Sequence, residues 1–348
     1  MESSTSIIEK GKKRLQMVIL IGIPLLVLLF LISIAFGPVR MTLDETYHSL
    51  INIINYGPQT GHERIIYYLR MPRVLAAFTI GIGLSIAGAV FQAIIRNPLV
   101  DPYITGVSSG AGFAAAMAMT SGLIVASVSA NYAVPVAAFI GGLVAFTFTF
   151  IIAESSGGRA INYVLGGVIV GMGFGSLTTI ILIMSDDRVQ RILLYLFGSF
   201  TGMTWAKLWI ILIPVLVLCF IVLLYAREFN VILLGDEQAR QLGLNVKRFK
   251  ISMLVLASLL TSLCVSFVGI IGFVGLIVPH TARMIVGGDH RLLLPACMII
   301  GALVMALADL IAKMAYVPIE LPVGAIMTLI GVPFFAYLLI RRGKEYAT

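Results

Sequence analysis

The sequence predicts an all-α, polytopic membrane protein of about ten transmembrane helices with both termini in the cytoplasm. Three observations carry that reading. Of the 348 residues, 59% are hydrophobic and 11% charged, with a mean hydropathy of +1.04; a soluble domain has roughly 45–50% and about 25%. The apolar residues fall in runs of about 20, the length that crosses a bilayer as a helix. Lysine and arginine gather on one side of those runs. A net charge of +8 in a soluble chain would raise nucleic acid as a partner. In a chain whose solvent is mainly lipid, the placement of the charges matters more than their sum, and no nucleic acid is expected. Cys219, Cys264 and Cys297 lie inside apolar runs without metal-ligand spacing and read as packing residues. No metal site is predicted.

The first run, 15–36, follows Lys10, Lys12, Lys13 and Arg14. It is longer than the roughly 7–15 apolar residues of a signal-peptide core, and no small-residue cleavage site follows, so it reads as an uncleaved span. Its basic flank puts the N-terminus inside. Further spans are expected at 74–95, 103–128, 132–153, 163–184, 208–226, 251–271, 292–312 and 321–340. The stretch 272–286 is shorter and holds Pro279, His280 and Arg283. Counted as a further span, it places 16 of the 24 Lys and Arg inside and 8 outside. Left out, it would strand Arg283, Arg291, Arg341, Arg342 and Lys344 on the outside, against the positive-inside bias. Two outer connections are longer than turns. The spacing from Leu43 to Ile54 suggests an amphipathic surface helix, and 186–207 suggests another around Ile192 to Phe197; such caps tile the interface, cover a cavity or receive a partner.

Arg70-Met71-Pro72-Arg73 opens the second span, with two arginines on one helical face. They are either interfacial anchors or a cationic docking point for an acidic partner. After that span, Asn97-Pro98 and Asp101-Pro102 force non-helical backbone, and Asn97 and Asp101 are placed to satisfy freed amides. Gly106 to Gly112 then begins the third span with little side chain. A broken helix with small residues, Gly106 and Gly110 among them, lines a pathway or packs inside the bundle. Gly167, Gly171 and Gly175 form overlapping G-x-x-x-G units for close packing, within the chain or across a dimer. His280 follows Pro279 in the run from Gly269 to Arg283, and either bonds neighbouring helices or handles a proton or metal, though no second His or Cys lies within ligand spacing. Asp309, four residues before Lys313, fits a local ion pair. His280 and Asp309 would be the working residues of an ion-driven secondary transporter, the alternative reading. No G-x-x-x-x-G-K-[ST] phosphate loop, Ser–His–Asp set or paired-carboxylate site occurs, so the chain is read as a transport subunit without its own engine and without catalytic residues.

A polar island, 227–250, lies between two long apolar runs. Gly235 breaks the first. Asp236 and Glu237 favour a helix start and Arg240 its end. Gly243 is placed to end that helix in a left-handed conformation, and Asn245 to cap a second short helix from Val246 to Phe249.

Seven runs carry a family resemblance: R-M-P-R, A-G-A-x-F-Q-x-x-x-R-N-P-L-V-D-P, G-V-S-S-G-A, L-G-D-E-Q-A-R-Q-L-G, G-F-V-G-L-I-V-P-H, D-H-R-x-L-L-P and E-L-P-V-G-A. In this order, over 64–341, they closely resemble the FecCD permease family of iron-siderophore, haem and cobalamin ABC importers. The resemblance implies a single transmembrane permease domain over 1–348 and a homodimer in the cell membrane. It also implies two cytoplasmic ATP-binding cassette subunits that hold ATP and Mg, and an extracytoplasmic substrate-binding protein. No cofactor is expected on this chain. It further implies that 227–250 is a coupling loop in which Leu234, Gly235, Asp236, Glu237, Ala239, Arg240, Gln241, Leu242, Gly243 and Leu244 meet the ATPase. Arg70, Arg73 and Lys313 match basic positions that meet acidic lobes of the binding protein; Lys313 stands where arginine is usual, which implies a weaker contact. Arg159, Ala160, Ile161 and Asn162 correspond to the cytoplasmic gate. The family's small hydroxyl residues are absent there, which implies apolar closure.

Overall fold

The computed structural model describes residues 4–39, 41–121, 130–185 and 188–346. Arg40, Asp186 and the far end of the third expected span, up to Val128, lie outside the described residues. Every regular element among the described residues is helical: α1 (Ser4–Ala35), α2 (Leu43–Tyr56), α3 (Gly61–Ile65), α4 (Met71–Ile95), α5 (Val107–Thr120), α6 (Ala130–Ser155), α7 (Ala160–Ile183), α8 (Val189–Leu196), α9 (Trp205–Leu224), α10 (Ala226–Ile232), α11 (Asp236–Gln241), α12 (Val246–Val268), α13 (Val274–Val286), α14 (His290–Met314) and α15 (Val323–Tyr346). Seven helices among the described residues are long and apolar enough to cross a membrane, the one containing α4 running without interruption from Gly61 to Ile95.

The bundle is built around α4. Of its 25 residues, 20 are buried, so it is apolar all round, the pattern of a helix enclosed by others. It packs against α9, α12, α13 and α14. Two glycine crossings allow this closeness. A Cβ on Gly81 would lie 2.1 Å from Gly301 O of α14, and one on Gly88 would lie 1.9 Å from Gly275 O of α13. Lipid gives no hydrophobic drive between helices, so backbone proximity and dispersion hold them together.

The two surface caps form where the spacing placed them. α2 starts with a full capping box between Thr42 and Glu45, and Thr60 and Glu63 form a second one at α3, each satisfying otherwise orphaned amides. α3 passes through a π turn, Ile66–Arg70, into α4, and Pro72 sits in the first turn of that helix, where its missing N–H costs nothing. The second cap is α8.

Three boundaries differ from the sequence reading. The third span was expected from Tyr103, but Pro102–Thr105 forms a single 3-10 turn and α5 begins at Val107 after Gly106 at φ +77°. The run 97–102 folds back along α4: Pro102 meets Gly275, which itself touches Leu84 and Gly88. α13 has 13 residues, a length of about 20 Å against a hydrocarbon core of about 30 Å. The break between α12 and α13 is therefore inside the bundle, where Tyr103 Oη donates to Ile271 O at 3.1 Å and Ser199 N donates to Val268 O at 2.7 Å. Finally, Val246 to Phe249 is not a separate short helix but the first turn of α12, because no residue after Asn245 interrupts the helical hydrogen bonding.

Candidate coupling and gating sites

At one end of the bundle, Gly235 (φ +122°) and Gly243 (φ +86°) bracket α11. Both conformations exclude a Cβ at little cost only for glycine. Leu244 N donates to Ala239 O at 3.0 Å and Gly243 N to Arg240 O at 2.9 Å, closing the helix as a left-handed C-cap does. The Asn245 side chain then accepts from Arg248 N. Ala239 is fully buried and seats the helix. Leu234, Glu237, Arg240, Gln241, Leu242 and Gly243 are exposed, and Leu244 is half-buried. α11 thus presents a mixed polar and apolar face outward and a single methyl inward.

Asp236 ties this helix to the bundle. It accepts from Lys250 Nζ at 2.6 Å and from Arg96 Nη2, and Arg96 Nη2 also donates to Ile232 O at 2.7 Å. Partial burial alone would raise the Asp236 carboxyl, but Lys250 and Arg96 outweigh it and hold it below its usual 3.8. Arg96 itself ends α4 at φ +54°, an unusual conformation for a side chain of its size. A second tie joins α10 to the start of α14. Asn230 Nδ2 donates to Asp289 Oδ1 at 2.6 Å, and hydrogen bonding from Arg291, with help from Asn230, brings the Asp289 carboxyl down to about 2.

The expected gate lies beside this element. Gly157 and Gly158, both at positive φ, turn the chain from α6 to α7. Arg159 precedes α7 and is exposed, Ala160 is half-buried and Ile161 is exposed. Asn162 Nδ2 donates back to Ser156 O at 2.6 Å and so clasps the turn. Glu154 accepts from Tyr163 Oη at 2.6 Å and pairs with Lys247 Nζ at 3.4 Å. A cavity of about 440 Å³ separates the turn from α11, lined by Arg96, Glu154, Arg159, Asp236, Arg240 and Lys247 among others. Sequence reading pointed to the gate and to α11 separately; the fold brings them to one cavity. It missed Glu154 and Tyr163. A signal was present, since Glu154 is the sole acid between Asp101 and Asp186.

The opposite end corrects one reading, the Asp309–Lys313 pair. Arg70 and Lys313 turn inward. Arg70 Nη1 donates to Ile34 O at 2.7 Å and Ala35 O at 2.8 Å, its Nη2 to Val39 O, and Lys313 Nζ to Ser33 O and Oγ at 2.6 and 2.7 Å. Both are buried. They satisfy the last carbonyls of α1, the place where a helix favours positive charge. Both side chains are thus engaged within the chain. Asp309 pairs with Arg73, not with Lys313: Nη2 to Oδ1 is 2.8 Å, and Arg73 Nη1 reaches Glu320 at 2.8 Å. Asp309 is fully buried, while Glu320 keeps a quarter of its side chain exposed and also accepts from Thr201 Oγ1. A helical i,i+4 pair lost to a bidentate guanidinium from another helix, which offers two hydrogen bonds where an ammonium offers one.

The interior residues sort by contact. Asn97 Oδ1 accepts from Leu99 N and Asp101 Oδ1 from Tyr103 N, both at 2.9 Å, as the two X-Pro steps require; Pro98 stands between these turns. A Cβ on Gly110 would lie 2.4 Å from Gly141 O, and one on Gly167 1.9 Å from Ile104 O. Gly106 and Gly171 border the same contact. Gly175 has nothing within 4 Å. Two of the three G-x-x-x-G glycines thus serve packing inside the chain, and the third does not. Pro279 and His280 are buried in α13, the imidazole edge-on to Phe334 at 6.5 Å. Gln92, passed over as a motif letter, bridges α4 and α13 through Gly275 O and Leu276 O at 3.2 and 3.3 Å.

Residues 25–341 match the FecCD transport family. The chain is 33% identical over 320 residues to the hemin transport system permease protein HmuU of Yersinia pestis, covering 91% of this chain and 95% of that one. It is 40% identical over 287 residues to the cobalamin import system permease protein BtuC of Halobacterium salinarum, covering 82% and 76%. A solved inward-facing conformation of a metal-chelate type ABC transporter aligns with a TM-score of 0.81 at 30% identity, over 95% of this chain and 99% of that one.

Proposed function

The chain belongs to the FecCD transport family, and on that premise we propose how this permease works. It is the permease subunit of an ABC importer for a metal chelate of the haem, cobalamin or iron-siderophore kind, a multi-pass protein of the cell membrane. ATP hydrolysis belongs to separate ATPase subunits, which carry ATP and Mg, and cargo is delivered by a substrate-binding protein. Our reading goes further. Ten helices cross the membrane with both termini in the cytoplasm, α5, α13 and α15 among them, the first two completed by irregular backbone buried in the bundle. Two copies enclose one path. α11, with Leu234 to Leu244, docks on the ATPase, and the turn at Arg159 to Asn162 is the gate.

One observation carries the mechanism: α11 and the gate turn share a single charged cavity. Movement imposed on α11 by the ATPase passes through Asp236 to Arg96 at the end of α4 and to Lys250 in α12, and through Lys247 to Glu154 at the gate. A shift of packed elements between two arrangements is the usual form of such switching. The binding protein docks at the other end, over α2, α8 and the Arg73–Glu320 pair, rather than on Arg70 and Lys313. The secondary-transporter reading is set aside. Family membership argues against it, and Asp309 is held by a fixed guanidinium.

The test is uptake of ferric siderophore, haem or cobalamin into proteoliposomes that contain this chain with its ATPase and binding protein. Uptake that requires internal or external ATP at the ATPase face is expected. Uptake driven by a proton or sodium gradient without ATP would overturn the reading.

A further inference from the structure

A groove on the lipid-facing side of α1 takes no part in the coupling path. α1 touches the bundle closely at Gly11, where a Cβ would lie 2.8 Å from Leu292 Cδ1, and at Gly22, where one would lie 2.4 Å from Ile299 Cγ2. Beside these contacts, α1 and α14 leave a groove of about 280 Å³, lined by Val18, Ile21 and Leu25 on one wall and Ile299 and Leu303 on the other. Every lining side chain is apolar except Arg14, at one end. Arg14 Nη1 donates to Ile285 O at 3.2 Å, which sets the guanidinium at the groove mouth and uses one of its five donors.

Length and charge both identify an occupant. From Arg14 to Leu25, α1 rises about 16 Å, and one leaflet of the hydrocarbon core is about 15 Å thick. The groove therefore spans one acyl chain from headgroup level to mid-bilayer. Lipid tails gain little by choosing one aliphatic surface over another, so selectivity must come from the mouth. There Lys12, Lys13 and Arg14 follow one another, with Glu9 the sole acid of the sequence between residues 3 and 43, and basic residues beside a membrane favour acidic headgroups. We infer that this groove binds one acidic phospholipid, its phosphate on Arg14 and one acyl chain along Val18, Ile21 and Leu25. The lipid fills the seam that the two glycine contacts leave and holds α1 against α14. The inference rests on the proposed cytoplasmic side of the N-terminus, where acidic lipid is presented to it.

Native mass spectrometry of the purified full chain in detergent, with phosphatidylglycerol and phosphatidylcholine of identical chains in competition, tests it. The wild type is expected to retain phosphatidylglycerol at least about fivefold better, the worth of one basic residue near an acidic surface. Arg14→Gln removes that preference, Arg14→Lys keeps most of it, and Leu303→Trp, which fills the groove, lowers retention of both lipids. Equal retention of the two lipids by the wild type overturns the proposal without reference to any variant, and so does an Arg14→Gln chain that keeps the preference or a Leu303→Trp chain that binds as the wild type does. The measurement needs no ATPase or cargo, so its failure leaves the transport reading intact. Thiol labelling of Ser4→Cys in sealed vesicles checks the side of the terminus separately; the native Cys219, Cys264 and Cys297 are buried.

Discussion

At the scale of single residues, the charges that decide function or stability are those with partners on other helices. Arg73 serves two carboxylates, and one of them, Asp309, is fully buried. Removing the guanidinium leaves a buried carboxylate uncompensated. Arg73→Gln is expected to cost about 3–5 kcal/mol, read as a fall in thermal midpoint in detergent, and Asp309→Asn in the same chain should recover part of it. A recovery of nothing would mean that the pair is not what holds α4 to α14 at this level. Glu154 works differently. Its partner Lys247 is 76% exposed, so the pair is worth little as stability, but it joins the proposed gate turn to the proposed coupling loop. Glu154→Gln is expected to leave the thermal midpoint within a degree or two and to lower uptake per ATP hydrolysed; an unchanged ratio would remove Glu154 from the coupling path.

At the scale of elements, α11 is short and is kept in place by its ends and by Asp236. Its carboxyl lies below the usual 3.8 in the folded chain. A depressed value means that the tie contributes fully above the ordinary carboxylate range and is lost as pH falls through the lowered value. Amide exchange at Ala239 to Leu244, corrected for intrinsic rate, should therefore be constant from about pH 8 to pH 5 and accelerate only below about 3.8. Asp236→Asn should show the fast exchange at neutral pH and uncouple hydrolysis from uptake. The α4–α13 crossing makes the opposite demand, for absence of a side chain. With Gly275 O 1.9 Å from any Cβ on Gly88, Gly88→Val should prevent folding to a monodisperse protein, whereas Gly175→Ala, with open space around it, should be tolerated.

At the scale of the whole molecule, a single enclosed helix organises the bundle, and the face of α7 at Met172 and Gly175 is open: nothing among the described residues lies within 4 Å of a Cβ placed on Gly175. Met172, 70% exposed on that helix, is where a second copy would approach if the permease is a homodimer. Met172→Cys is expected to cross-link to a second copy in membranes with a short bis-thiol reagent; a chain that stays monomeric under those conditions would count against the shared path. The helical class and the order of the apolar segments were legible in the sequence because a bilayer filters segments by length and hydropathy, a property of each segment alone. The glycines at 235 and 243 and the cap Asn245 were legible for a like reason: turn and cap chemistry is local.

By itself, the sequence determined the class of the protein, the order of its apolar segments, the α11 element and the family to which its motifs point. Only the tertiary structure decided which charges meet. Asp309 chose Arg73 over the nearer Lys313, Arg70 and Lys313 turned to the end of α1, Asp236 gathered Arg96 and Lys250, and Glu154 joined Tyr163 of α7 to Lys247 of α12. Each of these contacts spans elements that are distant or separately folded. Their selection depends on which side chain reaches a buried group with the better hydrogen-bond geometry, a quantity that spacing along the chain does not contain.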